Sequence, residues 1–417
     1  MLLRIFSGTV VSIVVLSWAS AQGADNWPAW RGPHHDGRVP EERPAVQWTE
    51  ESLAWKTPIP GRGHSSPVVD QGRVFVTTGD EAQKSQWVLA FDLLSGRQLW
   101  ERKLFEGGLD HRNHKRNSQA SCSVAADGDK IYASFLNDNA VWVVALSYQG
   151  EEVWRRKVTD YKSHWGYSAS PALYEGTVIV AADHIEGGRL AALDRKTGEI
   201  RWSTARPKSH NYPSQVIHHI GQSDQLLLAG CDQFSGYDPA TGKELWSSPV
   251  TTLECVGAAV VSDGLAFASG GYPKKETVCV KTDGSGEVMW RNEVQSYVPS
   301  LLSHDGYLYA VIDSGIAYCW DCRTGAEKWK KRLGGTFNAS PILAGENIYA
   351  SREDGTTFVF RANPEQFELV AENRLGTEVF ATPAFVGGRI VIRMAEVVDG
   401  KRQEWLCCVK EAPQGGK

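Results

Sequence analysis

The sequence lacks a charge excess, a second long apolar run and the short motifs that mark many enzymes. Its 44 Lys and Arg against 49 Asp and Glu give a formal net charge of −5. That balance offers no electrostatic footprint for nucleic acid, and none is expected as a partner. Beyond the N-terminal segment no stretch reaches the ~18 apolar residues of a membrane-crossing helix, so the chain is not expected to span a membrane. No Gly-x-Ser-x-Gly elbow occurs, no phosphate-cradling glycine loop ending in Lys, and no Cys-x-x-Cys-His haem attachment. The eight cysteines (Cys122, Cys231, Cys255, Cys279, Cys319, Cys322, Cys407 and Cys408) fall mostly in strand-like stretches, where Cys serves as a small hydrophobe. Cys319-x-x-Cys322 precedes no helix and has no two further ligands nearby, which argues against a redox or zinc site. No catalytic or metal-ligating residue is assigned from these features.

The N-terminus carries one apolar run. Arg4, the apolar stretch Ile5 to Trp18 and the small-residue site Ala19-Ser20-Ala21 read as a secretory signal peptide over 1–21. No Cys follows it, so a lipid anchor is not expected, and an uncleaved membrane anchor is the lesser reading. The mature chain is expected to be soluble, periplasmic or secreted, and monomeric. Residues 22–50 read as an N-terminal extension laid over the domain, anchored by Trp27 and Trp30, and 411–417 as a tail.

Tryptophan and glycine are abundant, at 16 and 41 residues, and they recur in register. The stretch Leu190 to Trp202 reads as an apolar strand, a turn bracketed by Asp194 and Gly198, and a second strand in which Ile200 and Trp202 alternate with charge. The same Gly-x-x-x-Trp spacing closes repeats at Trp100, Trp154, Trp202, Trp246, Trp290 and Trp329. A second phrase, exemplified by Ser66-Pro67-Val68-Val69 and ending in a turn glycine, lies between them, so each repeat holds two hairpins. It is weakest at Ser214-Gln215-Val216, where no clean turn glycine follows. A drifting period near 44 residues fits a four-stranded propeller blade. The segment 380–410 supplies three strands and lacks a fourth, whereas the strand around Trp55 has no companions. If that strand completes the last blade, both open edges vanish. The expectation is an all-β, eight-bladed propeller of four-stranded antiparallel blades over 51–410, closed by the N-terminal strand, with seven blades as the alternative. Each repeat Trp would bury ~150–250 Å² at a blade interface, about 4–6 kcal/mol before entropy.

The phrase Ala192-Leu193-Asp194-x-x-Thr197-Gly198-x-x-x-Trp202 resembles the repeat of the PQQ-like (pyrroloquinoline quinone repeat) β-propellers. That family holds the quinoprotein alcohol dehydrogenases and the non-enzymatic outer-membrane assembly factor BamB. The dehydrogenase branch implies PQQ, a calcium ion on Glu, Asn and Asp oxygens, and a disulfide between adjacent cysteines. Cys407-Cys408 is the one adjacent pair here. It lies in a last-blade strand, where neighbouring side chains point to opposite faces, so the role does not transfer.

A site is expected where the loops entering the innermost strands converge with the loops between second and third strands. The candidates are Arg62, His64, His111, His114, Arg116, Trp165, Tyr167, His210, Tyr212, Glu254, Tyr297 and Asn338. Their chemistry suits an anionic or aromatic small molecule or a peptide segment, although loop residues are commonly polar simply because they are wet. The expected function is a non-catalytic scaffold that binds an envelope protein or a polysaccharide through this face, without cofactor. The alternatives are a PQQ- and calcium-dependent oxidoreductase acting on alcohols or sugars, and a propeller hydrolase or lyase.

Overall fold

The computed structural model describes residues 26–410. The expected signal peptide (1–21) and tail (411–417) lie outside the described residues. Eight four-stranded antiparallel sheets follow one another along the chain. Blades 1 to 7 span 68–106, 125–160, 172–205, 216–248, 260–292, 302–332 and 342–374. Blade 8 combines Ala384–Val386, Arg389–Val398 and Lys401–Val409 with Leu53–Ile59 as its outermost strand. The pairing runs from Leu53 opposite Val409 to Ile59 opposite Glu404, so the ring closes as expected and the blade number is eight. The sole helical element among the described residues is a short 3-10 turn at Glu50–Ser52.

Strand position dictates composition. Inner and middle strands are covered on both faces by the adjacent blades and read as continuous apolar runs, as in Val178–Ala182 and Leu190–Leu193. Outermost strands such as Ile200–Ala205 alternate, because only one face reaches a neighbour.

The Trp-to-Gly spacing has a direct cause. In blade 3, Asp194 Oδ1 accepts the N–H groups of Lys196 and Thr197 at 2.8 Å, and Gly198 turns the chain at φ +72°. The indole of Trp154, from blade 2, lies against that turn and donates Nε1–H to Arg195 O at 3.0 Å. A Cβ on Gly198 would sit 2.6 Å from the Trp154 ring. The same indole-to-carbonyl bond joins Trp55 to Leu93, Trp100 to Tyr148, Trp202 to Pro239, Trp290 to Cys322 and Trp329 to Asn363. Blade 4 departs from the pattern. Trp246 is buried and donates to Gln225 of its own blade at 2.8 Å. Its first turn is made by Gly221, after an inner strand of five residues (Val216–Ile220), which corrects the expectation of a missing turn glycine.

The Ser/Thr positions preceding the inner strands form a hydrogen-bonded ring. Each hydroxyl oxygen accepts the N–H of the equivalent residue one blade earlier: Thr382 to Ser66, Ser66 to Ser123, Ser123 to Ser170, Ser170 to Ser214, Ala258 to Ser300, Ser300 to Ser340 and Ser340 to Thr382, all at 2.9–3.0 Å. Ala258 carries no hydroxyl and interrupts the ring. Ser340→Ala is expected to leave the buried Ser300 N–H without its acceptor and to lower unfolding free energy by ~1–3 kcal/mol. A urea midpoint unchanged from the parent would refute this.

The extension crosses the face opposite the channel mouth. Trp27 pairs with Val69 of blade 1, Ala126 of blade 2 donates to Pro28 O, and Arg31 Nη2 donates to Leu301 O beside blade 6. Arg38–Val39 then runs parallel to Leu343–Ala344 of blade 7 as an added fifth strand of that sheet. The Glu42 carboxylate caps the Gly387 and Gly388 N–H groups of blade 8. Trp27 is wholly buried, while Trp30 packs on the apolar cluster of blades 4 and 5 and reaches the axis.

Candidate functional site

The loops entering the inner strands meet two of the loops between second and third strands around a cavity of about 530 Å³, with Trp30 of the extension at its base. His64, His114, Arg116, Trp165, Tyr212, Glu254, Tyr297 and Asn338 line it, together with His164 and Phe380. Four expected residues lie elsewhere. Arg62 is held in a backbone bridge to Gly79 and donates to Lys115 O at 3.0 Å. His111 lines a separate cleft with Arg112 and Lys162, because its long loop turns outward before His114. Tyr167 is buried beneath the loop, donating its hydroxyl to Ala181 O at 2.9 Å. His210 stacks behind His164, with ring centroids 4.9 Å apart.

Three sides of the cavity differ in chemistry. On one side His64 stacks on Phe380 at 4.4 Å. On the second, Tyr297 donates its hydroxyl to Glu254 Oε2 at 3.1 Å, and Asp313 accepts the Tyr297 and Val298 N–H groups at 2.6 and 3.1 Å. On the third, Asn338 donates to Glu353, which also faces Arg116 at 3.5 Å. Burial and the Arg62, Arg393 and Arg402 charges hold His64 well below its usual pKa, and burial lowers His114 and His210. These three rings are therefore neutral near pH 7. Burial raises the Asp313 and Glu353 carboxyls. Arg116 is the one Lys or Arg lining the cavity, and Glu353 already faces it. An anionic ligand, one of the expected alternatives beside an aromatic small molecule or a peptide segment, would find Arg116 as its single Lys or Arg partner.

Trp30, Tyr272, Asp313 and the ring hydroxyls were not among the expected residues. Tyr272 follows Gly270-Gly271 in a loop between second and third strands, and Asp313 sits in the corresponding loop of blade 6. Loop position alone was the available signal for both. Trp30 had a signal for burial but none for which face it would close.

These residues do not fit PQQ. The quinone is a flat tricarboxylate, and it would meet Glu254 and Asp313 with Arg116 as the sole lysine or arginine partner. Among the described residues no group of three or more His, Cys, Asp or Glu is arranged to hold a metal ion. Cys407 and Cys408 are buried in strand Lys401–Val409, away from the channel, paired across to Ile392 and Val391.

The profile of a family described as outer membrane protein assembly factor BamB matches residues 42–103, 84–331 and 274–366. The chain is 24% identical over 347 residues to the outer membrane protein assembly factor BamB of Moranella endobia, covering 78% of this chain and 82% of that protein. Its fold is similar to that of BamB from Moraxella catarrhalis (TM-score 0.62, 15% identity, 88% of this chain and 98% of the other). It is equally similar to the quinohemoprotein alcohol dehydrogenase of Comamonas testosteroni (TM-score 0.65, 14% identity, 96% and 82%). At such identities the two structures speak for the fold alone. The match of the BamB profile across most of the propeller carries the assignment: this chain belongs to the BamB family of PQQ-like repeat propellers.

Proposed function

We propose that the protein is a non-catalytic scaffold of the cell envelope that holds an envelope partner against its channel face. One observation carries this reading. Among the described residues, and outside the outermost strands, the exposed large apolar side chains are Leu94, Trp165, Ile185, Tyr272, Val397 and Val398. All but Leu94 rise from the channel-face loops or the tip of the long blade 8 hairpin (Arg389–Val398 with Lys401–Val409). Apolar groups gathered on one face and rimmed by polar loops mark interaction surfaces. No helix among the described residues is long and apolar enough to cross a membrane. The family's description as an outer membrane protein assembly factor supports the same reading, and the crosslinking experiment below identifies the partner.

A photo-crosslinking residue placed at Tyr272 or at Val397 is expected to trap the same envelope partner in intact cells, and one at Leu94 to trap nothing. Adducts from Leu94 with none from the other two positions would reverse the assignment of the face.

A further inference from the structure

The cavity inside the channel mouth shares Trp165 and Tyr272 with the apolar face and adds polar groups of its own. Five of the Ser and Thr side chains that line it belong to the hydroxyl ring: Ser66, Ser170, Ser214, Ser340 and Thr382. Their oxygens already accept backbone N–H groups in the ring described above. Among the described residues none of these five hydroxyls donates to a protein acceptor, so each proton is free to point into the cavity. Towards the mouth the polarity inverts. Glu254 and Asp313 offer carboxylate oxygens, with Glu254 only 7% exposed. Tyr212 lines the cavity as well, with its hydroxyl buried in the wall. Flat apolar faces from Trp30, Trp165 and Phe380 complete the enclosure.

A ligand that satisfies all three sets must donate and accept at most of its polar atoms. It must also present apolar C–H faces to aromatic rings and carry no strong negative charge. A peptide strand offers one donor and one acceptor per residue, spaced along a line and not around a ring. We infer that the cavity binds a neutral pyranose unit of an oligosaccharide or polysaccharide. This rests on the channel face being the binding face, and it names the ligand class of that face's interior. Its volume lies within the range of about 300–1,000 Å³ for small-molecule sites and leaves room for a short oligosaccharide.

The test is calorimetric titration of the purified protein with neutral gluco-, xylo- and N-acetylglucosamine tetrasaccharides, with a tetragalacturonate as the anionic control. At least one neutral tetrasaccharide is expected to bind with Kd of ~1 mM or tighter, and the galacturonate at least tenfold more weakly. Trp165→Ala removes an aromatic face from a residue that is 42% exposed and so should fold as the parent does, yet weaken the sugar at least fivefold. Glu254→Gln should weaken it about tenfold. Absence of binding by every neutral sugar overturns the inference, as does tighter binding of the galacturonate or unchanged affinity in both variants. Crosslinking from Val397, on the rim and outside the cavity, reads the scaffold proposal separately. Adducts there with no sugar binding would sink the glycan and spare the scaffold.

Discussion

Glu404→Ala is expected to lower unfolding free energy by about 3–5 kcal/mol, a large fraction of the 5–15 kcal/mol typical of a folded domain. Glu404 and Arg393 are both almost wholly buried. Arg393 donates Nε–H to Glu404 at 2.9 Å, and its Nη1 reaches Ser65 Oγ at 2.9 Å and Thr77 O at 2.7 Å. Glu404 in turn accepts the Gly63 N–H and pairs with Arg402 at 2.8 Å. The pair thus bolts blade 8 to the loop that presents His64. Removing the carboxylate leaves a guanidinium without its counter-charge in a site closed to water. Replacing both partners, as in Arg393→Met with Glu404→Leu, removes the desolvated charge altogether and is expected to be less destabilising than Glu404→Ala alone. Urea unfolding of the parent, the single and the double variant decides the matter. A double variant at least as unstable as the single would show that packing, and not the unpaired charge, was lost.

The second large effect is predicted at the interface of blades 2 and 3. Gly198→Ala places a methyl group 2.6 Å from the Trp154 ring while holding a non-glycine residue at φ +72°. Left-handed backbone strain of about 1–3 kcal/mol adds to overpacking of about 1–3 kcal/mol, so the expected loss is roughly 2–6 kcal/mol. The two contributions separate in a double-mutant cycle. With Trp154→Ala the clash disappears and Gly198→Ala should cost only the backbone part. Strict additivity of the two substitutions would mean that the indole is not what excludes a side chain there.

These two sites mark what was legible beforehand. The Gly198–Trp154 relation is written into the chain as a spacing that repeats blade after blade, so the fold and the eight-blade closure could be read from periodicity. The Arg393–Glu404 pair joins two strands whose apolar alternation reads perfectly well without it, and no local pattern announces that its charges face inward. The same distinction runs through the site. His64, His114, Trp165, Tyr212 and Glu254 were found because loop order places them on the channel face. His111 and His114 share one loop and yet enter different cavities, a matter of local loop path that three residues of separation cannot encode. Trp246 kept its place in the repeat but turned into its own blade, where Gln225 offers its indole a partner. The expected ligands, an anionic or aromatic small molecule or a peptide segment, follow from residue types alone, whereas the burial of His64 and the Glu353 partner of Arg116 are tertiary facts that no residue type carries.

Blade 8 has a consequence in time as well as in space. Its outermost strand is near the start of the chain and its other three are at the end; Gly63 and Glu404 are bonded across 341 residues. Contacts of such sequence separation form slowly, because most of the chain must be brought together before they are rewarded. A chain emerging N-terminus first holds Leu53–Ile59 as an unpaired edge until the final hairpin arrives, while blades 1 to 7 can assemble from neighbouring segments. The last event in building this protein is therefore the latching of its first blade strand, and an interruption at that stage leaves an open, adhesive seven-bladed arc.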